Sequence, residues 1–290
     1  MKILLTGAEG FTGHFFKKKA ESAGHEVVTL KSDLTKKLDV DKEVSEVAPE
    51  SVVHLAGISY VGHADISSFY EVNVIGTMNL LFALNNLSRK PSKILLASSA
   101  NVYGNCDDSP IQENHQLLPV NHYAISKIAM EYMALTFLPK LPLIITRPFN
   151  YTGRGQSQQF LIPKLVDHFK KSSSSIQLGN TNVEREFNDV RMVCGAYLSL
   201  IEKGIPGEIY NICTGKPYSL NNILKILKAI TGKSMDICIN NELIRPNEIQ
   251  RLYGNPLKLL SCTGNLNQFS IEETLNWMLG IDIDIDPKFS

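Results

Sequence analysis

Tyr123 and Lys127 are four residues apart, the spacing that puts two side chains on one face of a helix, one turn from each other. An ammonium held beside a phenol favours the phenolate, so the tyrosine pKa is expected to fall from its ordinary value of about 10. A phenol tuned in this way can give a proton to a developing alkoxide near neutral pH. Upstream, Ser98-Ser99-Ala100-Asn101-Val102-Tyr103-Gly104 follows an apolar run, which places the Ser99 hydroxyl at a strand end, within reach of the same oxygen. A tyrosine and a lysine at this spacing also occur on ordinary amphipathic helices, so the weight falls on the elements around them.

Residues 2–6 read KILLT, a short apolar run suited to a buried parallel strand. It runs into Gly7, Gly10 and Gly13, with Phe11 and Thr12 between the last two, and a helix is expected to about residue 23. Glycines at this spacing between a strand and a helix let the backbone approach a pyrophosphate, which the helix N-terminus then favours. A second strand is expected over 25–30. It ends in Leu30-Lys31-Ser32, with none of the acid that usually holds the ribose of NAD. A cation and a hydroxyl there suit the 2′-phosphate of NADP(H), while Asp33 keeps NAD(H) open and Lys31 also reads as a solvated surface lysine. Leu38-Asp39-Val40 reads as a short third strand that brings Asp39 to the adenine amine, with Val40 beside it.

Residues 51–56 form the next buried run. It closes in Ala56-Gly57, small enough for a cofactor to lie against the backbone. A helix is expected over 71–84, with Asn73 tying it to the catalytic strand. Further strands are expected over 93–98 and 141–146. Strands alternating with helices imply a doubly wound parallel α/β sheet whose ligands bind at the carboxyl ends of the strands. Gly7, Ala56, Ser99 and Arg147 all fall at such ends.

The 29 basic and 29 acidic residues cancel, and nothing in the 290-residue chain points to nucleic acid or an anionic membrane as a partner. Five scattered cysteines, Cys106, Cys194, Cys213, Cys238 and Cys262, have no paired spacing. This reads as reduced thiols in a cytoplasmic protein, with no metal site. No apolar run reaches membrane-spanning length, and the N-terminus does not read as a signal peptide.

With these residues in view, the chain resembles the extended short-chain dehydrogenase/reductases of the nucleotide-sugar epimerase/dehydratase type. The resemblance rests on residues 6–13, His54-Leu55-Ala56-Gly57, Asn73, residues 98–104, Tyr123 to Lys127, and Arg147-Pro148-Phe149-Asn150. It implies a Rossmann-type sheet with a smaller α/β substrate-binding cap, and a catalytic set of Ser99, Tyr123 and Lys127. It also implies NAD(P) held by Gly7, Gly10, Phe11, Thr12, Gly13, Lys31, Asp39, Val40, Ala56, Gly57, Asn73, Tyr123, Lys127 and Pro148. Residues 147–156, 185–191 and 210–215, with the later 245–246, 253–255 and 263–264, are similar to stretches of GDP-4-keto-6-deoxymannose reductases, from which Tyr151, Arg154, Glu186 and Asn265, just after the last of them, depart. That resemblance implies reduction of the C4 keto group of a nucleotide-diphospho-4-keto-6-deoxyhexose by a homodimer. Ser59, Asn101, Asn150, Arg185 and Arg245 are the candidate contacts to this nucleotide-diphosphate sugar.

Dehydratases of the superfamily carry acidic residues beside the catalytic Ser or Thr. Ala100 and Asn101 stand there and cannot exchange protons near neutral pH. The cysteine that GDP-fucose synthases carry after the serine pair is also missing, and Cys106 reads as an inert thiol. A nucleotide-sugar 4-epimerase using the same triad is the enzymatic alternative. A dinucleotide sensor is the non-catalytic one, although such proteins generally lose the Tyr or the Lys. The expected division is a nucleotide domain over 1–157 with a returning segment at 186–204, a cap over 158–185 and 205–280, and a tail over 281–290.

Overall fold

The structure, a computed structural model, describes residues 1–106, 108–244 and 248–281. Arg245 and the tail beyond Ile281 lie outside the described residues. The first half alternates strand and helix: β1 (Lys2–Thr6), α1 (Phe11–Ser22), β2 (Glu26–Thr29), α2 (Lys37–Val47), β3 (Ser51–His54), α3 (Ile66–Tyr70), a π-helical turn (Glu71–Gly76), α4 (Thr77–Asn86), β4 (Lys93–Ala97), α5 (His122–Leu135) and β5 (Leu143–Pro148). After β6 (Tyr151–Thr152), α6 (Leu161–Lys170), β7 (Ser175–Leu178), β8 (Glu184–Arg185) and β9 (Asn188–Asp189), helix α7 (Val190–Lys203) and strand β10 (Ile209–Ile212) return to the sheet. The central sheet is parallel throughout, in the order β10-β5-β4-β3-β1-β2.

Successive side chains of a strand point to opposite faces, and both faces of this sheet are apolar. Ile3, Leu5, Val53, Leu95 and Ile144 pack against α1 and α7, through Phe16, Ala20, Val193 and Tyr197. Leu4, Val52, Ile94, Leu96 and Leu143 pack on the other side against Val40, Val44, Leu80, Leu84, Met130 and Ala134 of α2, α4 and α5. Burial on both faces is why these strands read as continuous apolar runs.

Two expectations fail. Leu38, Asp39 and Val40 are not a strand but the first turn of α2. Val40 and Val44 lie one turn apart, fully buried, and Leu38 is 81% exposed. Alternation over three residues is indistinguishable from the edge of a helical stripe, and packing against α4 decides it. Val40 is therefore a core residue and Asp39 an exposed side chain in the first turn, where its charge suits the helix dipole. Second, β10 completes the central sheet by pairing with β5, although residues 209–212 were expected in the cap.

The cap follows from β11 (Tyr218–Ser219), α8 (Leu220–Thr231), β12 (Asp236–Ile239), β13 (Arg251–Leu252), α9 (Leu257–Thr263) and α10 (Ile271–Leu279). Helices α8 and α10 start in full capping boxes, at Ser219 with Asn222 and at Ser270 with Glu273. Ile223 and Leu227 of α8, Leu275 and Trp277 of α10, and Ile162 and Leu165 of α6 share one apolar cluster with the α1–α7 side of the sheet. A continuous core thus fixes the cap over the strand ends.

Candidate active site

The carboxyl ends of β1, β3, β4 and β5 converge beneath the cap. At the end of β1 the chain turns through Gly7, whose φ of +71° is the left-handed conformation glycine tolerates. A Cβ on Gly7 would lie 2.6 Å from the Ala56 nitrogen, and one on Gly13 would lie 2.0 Å from the Gly7 carbonyl oxygen. The loop is therefore a bare backbone cradle opening on the N-terminus of α1, which suits a dinucleotide pyrophosphate. Replacing Gly13 with Ala is expected to cost about 3 kcal/mol through this overlap and to weaken dinucleotide binding. Urea denaturation together with a binding titration checks both.

A line of buried hydrogen bonds runs from this loop to the catalytic helix. Ala56 N–H donates to the Thr6 hydroxyl at 3.1 Å, and Thr6 Oγ1 lies 2.7 Å from His54 Nδ1. His54 Nε2 is 2.8 Å from the Thr77 hydroxyl, which itself donates to the Asn73 carbonyl at 2.7 Å. Thr77 therefore accepts from His54, whose ring is the neutral Nε2–H tautomer. Burial, helped by the charge of Lys127, lowers the His54 pKa to about 3, in keeping with a neutral ring. Asn73 holds Ile58 through both backbone groups, at 2.9 and 3.2 Å, and donates to Ser126 Oγ at 3.0 Å. Ser126 donates to the Tyr123 carbonyl at 2.8 Å. Asn73 thus ties the loop after β3 to α5, not its own helix to the catalytic strand as expected.

Helix α5 begins where the Asn121 side chain accepts from Ala124 N–H at 2.8 Å. Tyr123 and Lys127 lie on its buried face, each 7% exposed, and the Ser99 hydroxyl is near enough to the Tyr123 phenol to act on its pKa. Burial raises the Tyr123 pKa, and the Ser99 hydroxyl offsets part of that rise. The expected lowering by Lys127 is not found. The Lys127 ammonium donates to the Ala97 carbonyl at 2.8 Å, so it anchors α5 to the end of β4. Burial lowers its own pKa to about 8, against the opposing charge of Glu131 one turn on. The spacing of the pair fixes the shared face but not the direction of the ammonium. The phenol is consequently a neutral acid at physiological pH, the form that donates a proton. Asn101 bonds Ser99 Oγ through its backbone N–H at 3.2 Å and its amide at 3.1 Å.

Beneath the site lies an ion pair. Arg147, at the end of β5, donates to both carboxylate oxygens of Glu131, at 3.0 and 2.6 Å, and both side chains are 4% exposed. Its guanidinium also lies 5.0 Å from the centre of the Tyr103 ring and bonds the Tyr103 hydroxyl at 3.0 Å. Arg147 is at a strand end, as read, but it braces α5 and offers nothing to a ligand. Two further residues were missed. Tyr151 is stacked on Phe11 and bonds the Thr12 hydroxyl at 2.8 Å, locking the glycine loop to the strand after β5. Glu43 of α2 holds the backbone of Lys31 and Ser32. The departure at Tyr151 was visible in the sequence, but the Glu43 contact spans eleven or twelve residues and carries no motif.

The expected substrate contacts separate into two groups. Ser59 and Asn150 are exposed and Asn101 is half-buried beside Ser99, whereas Pro148, expected against the cofactor, is buried at the end of β5 beside β10. Arg185 on β8 donates to the Glu184 and Ile249 carbonyls within the cap. A cleft of about 540 Å³ borders the glycine loop, lined by Gly10, Phe11, His14, Arg154 and Trp277 among others. A larger cavity of about 880 Å³, around Met1, Glu50 and Arg89, lies at the amino ends of β1, β3 and β4 and holds none of these residues. Among the described residues there is no cluster of metal-binding side chains, and no helix is long and apolar enough to cross a membrane.

A parallel sheet with this glycine cradle and a Ser-Tyr-Lys set at the strand ends defines an extended short-chain dehydrogenase/reductase, an NAD(P)-dependent oxidoreductase of the nucleotide-sugar type. Within that class the chain belongs to the GDP-mannose 4,6-dehydratase family, whose model matches residues 12–278. It is 36% identical to GDP-6-deoxy-D-talose 4-dehydrogenase of Aggregatibacter actinomycetemcomitans, over 93% of this chain and 94% of that protein. It is 31% identical to GDP-6-deoxy-D-mannose reductase of Pseudomonas aeruginosa, over 80% and 79% of the two chains. The structure of RMD from Pseudomonas aeruginosa complexed with NADPH superposes with a TM-score of 0.87 at 29% identity, over 96% and 97% of the chains.

Proposed function

We propose that the protein reduces the C4 keto group of a GDP-4-keto-6-deoxyhexose, GDP-4-keto-6-deoxymannose being the first candidate. The observation that carries this reading is the buried, neutral Tyr123 near Ser99, set beside a backbone cradle for a dinucleotide. The bound dinucleotide would supply the hydride. Tyr123 would give its proton to the C4 oxygen as charge develops, and Ser99 would hold that oxygen by a second hydrogen bond. Lys127, fixed to Ala97, would hold α5 in register with the end of β4 and keep a positive charge near the reacting centre. Asn150 and Ser59, both exposed, would meet the sugar nucleotide. The two curated relatives support the substrate class, because 6-deoxytalose and 6-deoxymannose differ only at C4 and arise from one 4-keto sugar by attack on opposite faces. Which dinucleotide serves turns on the end of β2, where Glu43 stands against the NADPH preference expected from Lys31. A cytoplasmic homodimer completes the reading. It is supported by five free thiols and by the exposed Phe82, Ile125 and Tyr132 on the neighbouring helices α4 and α5.

The family takes its name from a dehydratase, yet the residues after Ser99 argue against elimination here. Ala100 is buried and Asn101 is spent on Ser99. Loss of water across C5–C6 needs a base for the C5 proton and an acid for the leaving hydroxyl, and neither side chain can be either. Incubation with GDP-mannose and NADP or NAD is expected to give no dehydrated product by mass spectrometry. Supplying the 4-keto sugar with NADPH or NADH is expected to give steady loss of absorbance at the nicotinamide band. A dehydrated sugar formed at enzymatic rates would overturn the reductase assignment.

A further inference from the structure

In a doubly wound sheet the adenosine ribose of a dinucleotide lies at the carboxyl end of the second strand, and the group found there selects between a 2′-hydroxyl and a 2′-phosphate. Lys31 and Ser32 follow β2, and Glu43 reaches back to them from α2. Lys31 N–H donates to Glu43 Oε1 at 2.9 Å. Ser32 donates to Oε2 twice, through its N–H at 2.7 Å and its hydroxyl at 2.6 Å. Two backbone N–H groups and a hydroxyl converging on one point are a donor set suited to a phosphate monoester. Here a carboxylate already sits in it. Burial works toward the neutral acid, but the Ser32 and Lys31 bonds outweigh it and hold the Glu43 pKa below its ordinary value. The charges nearby do not reverse this. The Lys31 ammonium already acts on Glu43, Asp33 adds a further negative charge bonded to Thr35, and Asp39 is exposed on the first turn of α2.

We propose that Glu43 is the residue that sets dinucleotide specificity: its carboxylate occupies the donors a 2′-phosphate would need, repels that dianion, and accepts a hydrogen bond from a free 2′-hydroxyl, so the enzyme prefers NADH to NADPH. Helix α2 is held by Val40 and Val44 in the core, so Glu43 is a fixed feature of the site. The inference rests on the reading of these strand ends as a dinucleotide site. It also reverses the preference suggested by Lys31 and Ser32 alone.

Fluorescence titration of NADH and NADPH, without sugar, tests it on the intact protein and on Glu43→Ala and Glu43→Gln. The wild type is expected to bind NADH about tenfold more tightly than NADPH, and Glu43→Ala to strengthen NADPH binding by about tenfold. Glu43→Gln keeps the side-chain length and one acceptor, and should move the ratio the same way if the alanine variant proves unstable. A wild type that prefers NADPH, or variants with an unchanged NADH-to-NADPH ratio, would overturn the assignment of Glu43. Binding of neither dinucleotide to the wild type would instead overturn the function proposed for the strand ends.

Discussion

Replacing Tyr123 with Phe is expected to lower kcat by about a thousandfold while dinucleotide affinity changes by no more than about twofold. The hydroxyl is used where charge develops on the C4 oxygen, so its loss falls on the transition state and not on ground-state binding. The ring still fills its place against Phe69. Asn121 still caps α5, and Lys127 still bonds Ala97. The phenol pKa lies above its ordinary value, so the wild-type phenol stays protonated well beyond neutrality and the reductive rate should not fall between pH 6 and 8 through loss of this acid. Single-turnover kinetics with the keto sugar, alongside a dinucleotide titration, separate the two effects. A near-normal kcat would remove Tyr123 from the proton transfer.

The largest expected effect on stability is at Arg147. Replacing it with Met removes both hydrogen bonds to Glu131 and leaves a carboxylate buried on α5 without its partner. Breaking one side of such a pair costs about 3–5 kcal/mol. The double variant Arg147→Met with Glu131→Leu should recover most of that loss, because the isolated charge, and not the missing bond, carries most of the cost. Urea denaturation of the two variants and the wild type measures the difference. Equal destabilisation in both variants would mean that the packing of Arg147 on Tyr103 matters more than the charge. Because α5 carries Tyr123 and Lys127, the single variant is also expected to lose activity before it unfolds.

The nucleotide-binding half was largely legible because its signals are local. The apolar run into Gly7, Gly10 and Gly13 gives a strand, a cradle and a helix within about twenty residues, and Tyr123 with Lys127 gives a shared helix face. What the sequence did not give away depends on contacts between distant segments. Leu38-Asp39-Val40 carries an alternation that a strand and the edge of a helix share, and only Val40 packing against α4 separates them. Strand β10 enters the sheet from a segment surrounded by cap elements. The reach of Lys127 to Ala97 depends on how α5 sits against β4, so a phenol pKa inferred from spacing alone moved in the wrong direction. Glu43 and Glu131 carry no motif, yet one governs the end of β2 and the other supports the charge balance of the catalytic helix. Arg185 fell in a matched stretch, but its guanidinium serves the backbone of the cap.

The central claim is hydride delivery to C4 with net consumption of the dinucleotide. The most direct measurement is incubation of the purified protein with GDP-4-keto-6-deoxymannose and reduced dinucleotide deuterated at the nicotinamide C4, followed by mass and NMR analysis of the sugar. One deuterium at C4 of a 4-hydroxy product, with one dinucleotide oxidised per sugar reduced, is the result predicted here. A C4-epimerised sugar formed with no net oxidation of the dinucleotide would contradict the account and identify the protein as an epimerase.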